Sequence, residues 1–415
     1  MHPFTLAFIL ALGLATAVKL WLAMRHVRHV SGNRELLPRE FEGSITLAAH
    51  RKAADYTVAK TRASMVEIVS GALLILVFTL GGGMQSVSAG LERWFELGGY
   101  AHGIALIAAV VVVSAIIDLP FSLYRTFVIE DRFNFNRMTP ALFLADMAKN
   151  AAVGAALGIP LLFCVLWLMA QMGENWWLYV WLAWVGFNLL ILTLYPSLIA
   201  PLFNKFSPLE DAALRERIEA LLSKCGFRTQ GLFVMDSSRR SSHGNAYFTG
   251  FGRAKRIVLF DTLIQRLSPA EIEAVLAHEL GHFSHRHVWK RIVVLFVSSL
   301  AMLWLLGQLI DLPWFYSALG VESKSTAMAL LLFFIALPSF VFLLQPVASF
   351  FSRVQEFEAD AYAASHARAE DLIQALVKLY RDNAATLTPD PVHSAFYDSH
   401  PPAMTRIARL LPARA

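Results

Sequence analysis

Trp176-Trp177-Leu178-Tyr179-Val180-Trp181-Leu182-Ala183-Trp184-Val185-Gly186-Phe187-Asn188-Leu189-Leu190-Ile191-Leu192-Thr193-Leu194 holds no Asp, Glu, Lys or Arg. It lies within an uncharged window, 175–204, long enough to cross about 30 Å of hydrocarbon as a helix. A helix on the surface of a soluble protein would keep one polar face, and this stretch has none. Windows of the same kind recur at 68–91, 97–117, 150–173, 292–310 and 325–352. A further segment, 4–24, carries a single charge, Lys19, which can snorkel to the interface or face an internal cavity. Seven membrane spans are therefore expected.

Composition agrees. Of 415 residues, 56% are hydrophobic and 16% charged, where about 25% charged is usual for soluble domains. This excludes a disordered chain and a water-soluble globule. The net charge of +5 comes with no Lys/Arg run interleaved with aromatics, so no nucleic-acid partner is expected. The two cysteines, Cys164 and Cys225, have no short spacing and support neither a disulfide framework nor a thiolate metal site. The first apolar segment has its basic residues, Arg25 and Arg28, after it rather than before it, the reverse of a signal peptide, so a retained span is expected. His102 and Asp118-Leu119-Pro120 bracket the third span and read as helix-end positions rather than ligands.

Loop charge orients the spans. Eight Lys/Arg lie in 25–62 and four in 125–149, while the alternate loops carry Arg93 alone, none, and Lys324 alone. The positive-inside rule places the N-terminus outside and the C-terminus in the cytoplasm, with the hydrophilic regions 205–290 and 353–415 on the cytoplasmic side. Within the first of these, Leu214, Ile218, Leu221 and Leu222 predict a helix over 210–224 that stops at Gly226. Runs rich in β-formers follow at 232–235, 246–248 and 257–260.

The chemistry begins at Ser268-Pro269-Ala270-Glu271, a helix start with Ser as N-cap, Pro at the first position and Glu completing a capping box. Ten residues on comes His278-Glu279-Leu280-Gly281-His282. Histidines at i and i+4 share one helix face, so both imidazoles can reach one zinc ion while Glu279 approaches its water. With 13 His in the chain, about 0.02 such matches are expected by chance; the plain alternative is two solvated histidines. A hydrolytic zinc needs a third ligand and an open position. Glu356 and Asp360, four apart on a predicted helix after the last span, suit a ligand carboxylate and a second carboxylate that orients a ligand histidine. Glu358 points elsewhere on that helix, and acidic pairs at this spacing commonly just cover a solvated face.

The ordered set resembles the type I CAAX prenyl endopeptidases, the sterile-24 family of membrane zinc metalloproteases. The resemblance is carried by the seven spans, Ser241-Ser242-His243-Gly244-Asn245-Ala246-Tyr247-Phe248, Lys255-Arg256-Ile257-Val258-Leu259-Phe260-Asp261-Thr262-Leu263, the zinc helix, Glu356-Phe357-Glu358-Ala359-Asp360, and Ser399-His400-Pro401-Pro402 followed by Arg406. The segment Glu130-Asp131-Arg132-Phe133-Asn134-Phe135-Asn136 is only similar to the family's acidic loop. The resemblance implies an all-α polytopic membrane protein, seven transmembrane helices around an intramembrane chamber, with a small α+β zincin-like catalytic domain. The expected division is spans one to five in 1–204, a catalytic insertion in 205–290, spans six and seven in 291–352, and a C-terminal segment, 353–415, completing the site. One zinc per chain is implied, held by His278, His282 and Glu356, with Glu279 as catalytic base. Asp360 matches an acid near the metal that is sometimes described as a proton donor; a carboxylate so close to a cation favours the ionised, orienting role. Asn245 matches a contact to substrate backbone, and His400 and Arg406 match polar groups lining the cleft. His400 is the candidate donor to the oxyanion.

Three functions compete. The leading one is a zinc metalloendopeptidase cutting near the C-terminus of protein substrates, prenylated ones included, with the lipid tail held in the chamber. The second is a broader quality-control endopeptidase of membrane proteins. The third, a seven-span transporter or binding protein, has no need for a base between two metal-ligand histidines. The expected partners are a peptide or protein substrate and membrane lipid, with no oligomer required. The segment 246–248 can pair with an extended peptide by edge addition. His285 and His287 are expected near the membrane surface, and His243 in a loop. The C-terminal run 410–415 has no retention signal, which favours a bacterial inner membrane over the endoplasmic reticulum.

Overall fold

The computed structural model describes residues 1–227, 229, 231–249 and 256–411. Lys255 and residues 412–415, used in the sequence argument, lie outside the described residues. Among the described residues, seven helices are long and apolar enough to span a membrane: α1 (Pro3–Gly32), α2 (Leu47–Phe78), α3 (Tyr100–Glu130), α4 (Pro140–Gln171), α5 (Gly173–Phe203), α8 (His287–Leu309) and α9 (Thr326–His366). Between α5 and α8 lie the helices α6 (Ala212–Lys224) and α7 (Pro269–Ser284). After α9 come α10 (Ala369–Asp382), α11 (Pro391–Tyr397) and α12 (Ala403–Leu410).

Leu6, Leu10 and Leu14 on α1, and Val293, Val294 and Val297 on α8, present exposed apolar faces. Such faces suit lipid, because every backbone group of a helix is already paired. On their inner faces the helices share a core that includes Phe8, Leu106, Leu166, Leu306, Phe315 and Leu332.

The second span differs from its expected bounds. The window 68–91 breaks at Gly81-Gly82-Gly83, where Gly82 adopts φ 71° and a separate short helix, Gly83–Leu91, begins. A side chain on Gly81 or Gly83 would meet the carbonyl of Val77 at 2.9 or 2.7 Å, so the turn needs glycine. At the other end α2 starts at Leu47, so Arg51, Lys52, Lys60 and Arg62 sit on the helix itself rather than in a loop. At 32 residues, about 48 Å long, α2 projects well past the hydrocarbon. Cavities of about 300 and 460 Å³ open between α1 and α2, both lined by Lys19, Ser64, Glu67 and Ile68. Lys19 thus lines both of these openings.

The segment between α5 and α8 holds a four-stranded mixed sheet: β1 (Phe206–Pro208), β2 (Leu232–Met235), β3 (Ala246–Thr249) and β4 (Arg256–Phe260), in the order β1-β2-β4-β3. β2 and β4 run parallel, with Val234 opposite Leu259, and β3 is an antiparallel edge, with Tyr247 opposite Val258. The predicted strands appear nearly as read, and β1 is an addition too short to show an alternating pattern. α6 packs Leu214, Ile218, Leu221 and Leu222 onto this unit, joining Ile257, Leu259, Leu276 and Ala277 in one core. Its predicted stop is a left-handed Gly226.

Candidate metal centre and active site

α7 starts as its sequence predicts. The Ser268 hydroxyl accepts from the Glu271 N–H at 3.4 Å, and Glu271 Oε2 accepts from the Ser268 N–H at 2.7 Å. Lys378 of α10 closes on the same carboxylate at 2.7 Å, tying the helix start to the C-terminal segment. About three turns further along, the helix meets α9 in a close crossing at Gly281. A Cβ there would lie 2.8 Å from the Ala359 Cα and 3.1 Å from the Tyr362 Cβ. The glycine is what lets the two backbones approach, and the approach brings Glu356 to the histidine pair.

α9 runs unbroken for 41 residues from the membrane into this crossing, tightened only at Phe342–Leu344. It carries Glu356 and Asp360 on the buried face. The Nε2 atoms of His278 and His282 lie 3.3 Å apart, and Glu356 places its oxygens 3.5 Å from the first and 3.3 Å from the second. Three ligand atoms within 4.8 Å of one another form a group able to hold one metal ion. Glu356 Oε2 is buried with no hydrogen bond of good geometry, although His400 Nδ1 stands 2.7 Å away. A buried carboxylate needs positive charge beside it, and the facing imidazoles, with Arg406 Nη1 at 3.7 Å, form surroundings that fit a metal ion.

The outer faces of the two imidazoles are held differently. His278 Nδ1 lies 2.8 Å from Asp360 Oδ1, and Asp360 receives two hydrogen bonds from Arg406, at 2.9 and 2.6 Å. Arg406 is 5% exposed. The N–H on Nδ1 that this contact requires leaves Nε2 free as a ligand atom. Burial acts to lower the His278 pKa, but hydrogen bonds to Asp360 and Glu356 outweigh it and raise the group to about 9. Two carboxylates facing one imidazole hold positive charge there, as a proton or as a metal ion. Burial also pushes the Glu279 carboxyl above its ordinary range, against the opposing pull of His278 and His282.

His400 is exposed at the mouth of the site. Asn245 sits at the start of the edge strand, its side-chain carbonyl accepting from the Ala246 N–H at 2.8 Å and its backbone carbonyl from the Phe260 N–H at 3.0 Å. Its loop is braced against the membrane helices. Ser242 N–H donates to Phe135 O at 3.2 Å, His243 stacks on Phe135 with 4.5 Å between ring centroids, and His243 Nε2 lies 3.6 Å from Glu130. Arg240 pairs with Asp146 of α4 through two hydrogen bonds, at 2.8 and 3.0 Å. Sequence spacing had left His243 as an ordinary loop histidine and had not singled out Arg240. The acidic, Phe-containing segment 130–136 was the one signal that pointed to this brace.

Two residues discounted in the sequence are also here. His287, expected at the membrane surface, is buried with Nδ1 2.9 Å from His282 Nδ1, and Glu358 reaches its other nitrogen at 2.7 Å.

Comparison with known proteins agrees with this architecture. Residues 26–205 match the family described as CAAX prenyl protease N-terminal, five membrane helices, and residues 208–413 match peptidase family M48. An Arabidopsis thaliana CAAX prenyl protease 1 homolog is 42% identical, over 74% of this chain and 72% of that protein. CAAX prenyl protease 1 of Saccharomyces cerevisiae is 31% identical, over 94% and 91%. The crystal structure of S. mikatae Ste24p superimposes with a TM-score of 0.91 at 30% identity, covering 99% of each chain. The chain therefore belongs to the CAAX prenyl protease family, M48 metalloendopeptidases embedded in the membrane by multiple spans.

Proposed function

We propose that the chain binds one zinc ion through His278, His282 and Glu356 and hydrolyses a peptide bond near the C-terminus of protein substrates that carry a prenylated cysteine. The observation that carries this reading is the buried His278-His282-Glu356 cluster, its three ligand atoms within 4.8 Å of one another, next to Glu279. When bound, zinc supplies a Lewis acid that polarises the scissile carbonyl and acidifies water. Glu279 takes the proton of the attacking water and passes it to the leaving amine; its raised pKa suits both transfers. His400, at the open mouth of the site, donates to the developing oxyanion. Asp360, clamped by Arg406, holds His278 with Nε2 inward. Arg406, expected to line the substrate cleft, is instead buried and acts on the metal-ligand groups through Asp360 and Glu356, the latter 3.7 Å from its Nη1. The substrate backbone adds to the free edge of β3, with Asn245 setting its register.

The half-polar cavity of about 460 Å³ supports an amphiphilic substrate: Ala23 and Ile68 line it together with Lys60, Arg125 and Tyr397. The charge of the loops supports a cytoplasmic active site with the N-terminus outside. The relatives named above are eukaryotic and do not favour a bacterial inner membrane, so the proposal concerns the face of the membrane and not the organelle.

The test presents purified protein with matched farnesylated and unlipidated CAAX peptides and locates the cuts by mass spectrometry. Preferential release of the terminal tripeptide from the farnesylated peptide is expected. Equal cleavage of both would reassign the chain to general quality-control proteolysis. In Glu279→Gln, turnover should fall by about 10²–10⁴-fold with one zinc per chain retained. Undiminished turnover would remove Glu279 from the mechanism.

A further inference from the structure

His282 and His287 are five residues apart. On a continuous helix that separation rotates the second side chain about 140° away from the first. The chain does not continue: α7 ends at Ser284, Arg286 adopts the left-handed conformation at φ 56°, and α8 begins at His287. The reversal carries the His287 ring back against His282, with ring centroids 5.1 Å apart at 71°. A left-handed arginine is strained relative to an ordinary conformation, so the turn persists because the residues on either side of it are held.

The hydrogen bonds around His287 have one consistent direction. His282 turns Nε2 toward His278 and Glu356, which leaves its proton on Nδ1. That N–H donates to His287 Nδ1 at 2.9 Å, and His287 therefore carries its own proton on Nε2, 2.7 Å from Glu358 Oε2. His287 is 1% exposed with both ring nitrogens partnered, and Glu358 is 41% exposed at the end of the chain of contacts. His285 stacks on the same ring with 5.5 Å between centroids.

We infer that His287 and Glu358 are positioning residues that lock the tautomer and ring orientation of His282, as Asp360 and Arg406 do for His278. This rests on the zinc reading proposed above. The two ligand histidines are then oriented by separate supports, one a buried carboxylate–guanidinium pair, the other an imidazole–carboxylate pair reaching the surface. Partners of this kind typically contribute 10–100-fold to metal affinity.

The experiment uses the full-length chain in detergent, stripped of metal and titrated with zinc against a fluorescent chelator, with Co²⁺ absorption spectra taken alongside. His287→Phe keeps the ring volume and removes the acceptor; about 10–100-fold weaker zinc binding is expected. His287→Asn keeps an acceptor near the Nδ1 position while losing the ring. It should bind zinc more tightly than His287→Phe and return the Co²⁺ spectrum toward that of the unmodified chain. Glu358→Ala lies on the surface, so folding is not at stake, and it should weaken zinc by a smaller factor in the same direction. Unchanged zinc affinity in both Glu358→Ala and His287→Phe would overturn the relay while leaving the zinc site standing. An unmodified chain that takes up no zinc would instead overturn the metal reading itself.

Discussion

At the scale of single residues, Arg406 and Asp360 are a matched buried pair. Each is at most 5% exposed, and the guanidinium meets the carboxylate through two nitrogens. Removing one member leaves a buried charge without its partner, a loss of about 3–5 kcal/mol. Arg406→Ala should therefore melt earlier in detergent and bind zinc more weakly. Arg406→Lys should recover little, because an ammonium cannot reproduce the two-pronged geometry. Full recovery by lysine would show that charge alone matters. The histidine pair and Glu279 were legible from i, i+4 spacing, because that spacing is a property of one helix. Glu356 and Asp360 could be read only as a suitable pair. The partner that each finds, His278 Nδ1 for Asp360 and two Nε2 atoms for Glu356, is set by how α7 crosses α9. The burial of His287 against His282 has no sequence signal, because the turn that makes it is a left-handed Arg286, where glycine or asparagine would have announced the turn.

Among the elements, α7 depends on its start and on its crossing. Burial acts to raise the Glu271 pKa, and hydrogen bonds to Lys378 and the Ser268 N–H outweigh it, leaving the carboxyl below its ordinary 4.5. A depressed folded pKa means that stabilisation is present above about pH 4.5 and is lost as pH falls through the lower, folded value. Glu271→Gln should lower the melting temperature at neutral pH, by an amount corresponding to about 1 kcal/mol. The gap to the unmodified chain should close as the pH is taken below 4.5; a pH-independent gap would contradict this assignment. At the crossing, Gly281→Ala would force a methyl against Ala359. Overpacking of this kind costs about 1–3 kcal/mol, and here it pushes the histidine pair from Glu356. Weaker zinc binding should therefore accompany the loss of stability, measured by the same chelator competition. Retained affinity would mean that α9 shifts without disturbing the site.

For the whole molecule, the structural question is how a peptidase unit is kept in register with a membrane bundle. Arg240 joins the loop before Asn245 to Asp146 of α4, with further hydrogen bonds to Asn204 Oδ1 at 3.0 Å and Phe203 O at 2.6 Å. Arg240→Ala should lower kcat/KM by about tenfold or more, since displacement of substrate-positioning groups by about 1 Å can cost 10²-fold. Zinc stoichiometry should be unchanged, because no metal ligand is involved. A change in zinc content with intact turnover would reverse that assignment. The sequence alone determined that the chain spans a membrane seven times, because hydrophobic length is a local property that each window carries by itself. It also determined the helix that carries His278, Glu279 and His282, with its cap, since capping and i, i+4 spacing are fixed within a few residues. Only the tertiary structure decided where α2 begins, how the sheet leaves β3 as a free edge, and which groups hold each imidazole. Those outcomes depend on contacts between residues far apart in the chain, such as Glu271 with Lys378, Arg240 with Asp146 and His287 with Glu358. Such pairings follow from close packing in three dimensions, and no local pattern of residues encodes them.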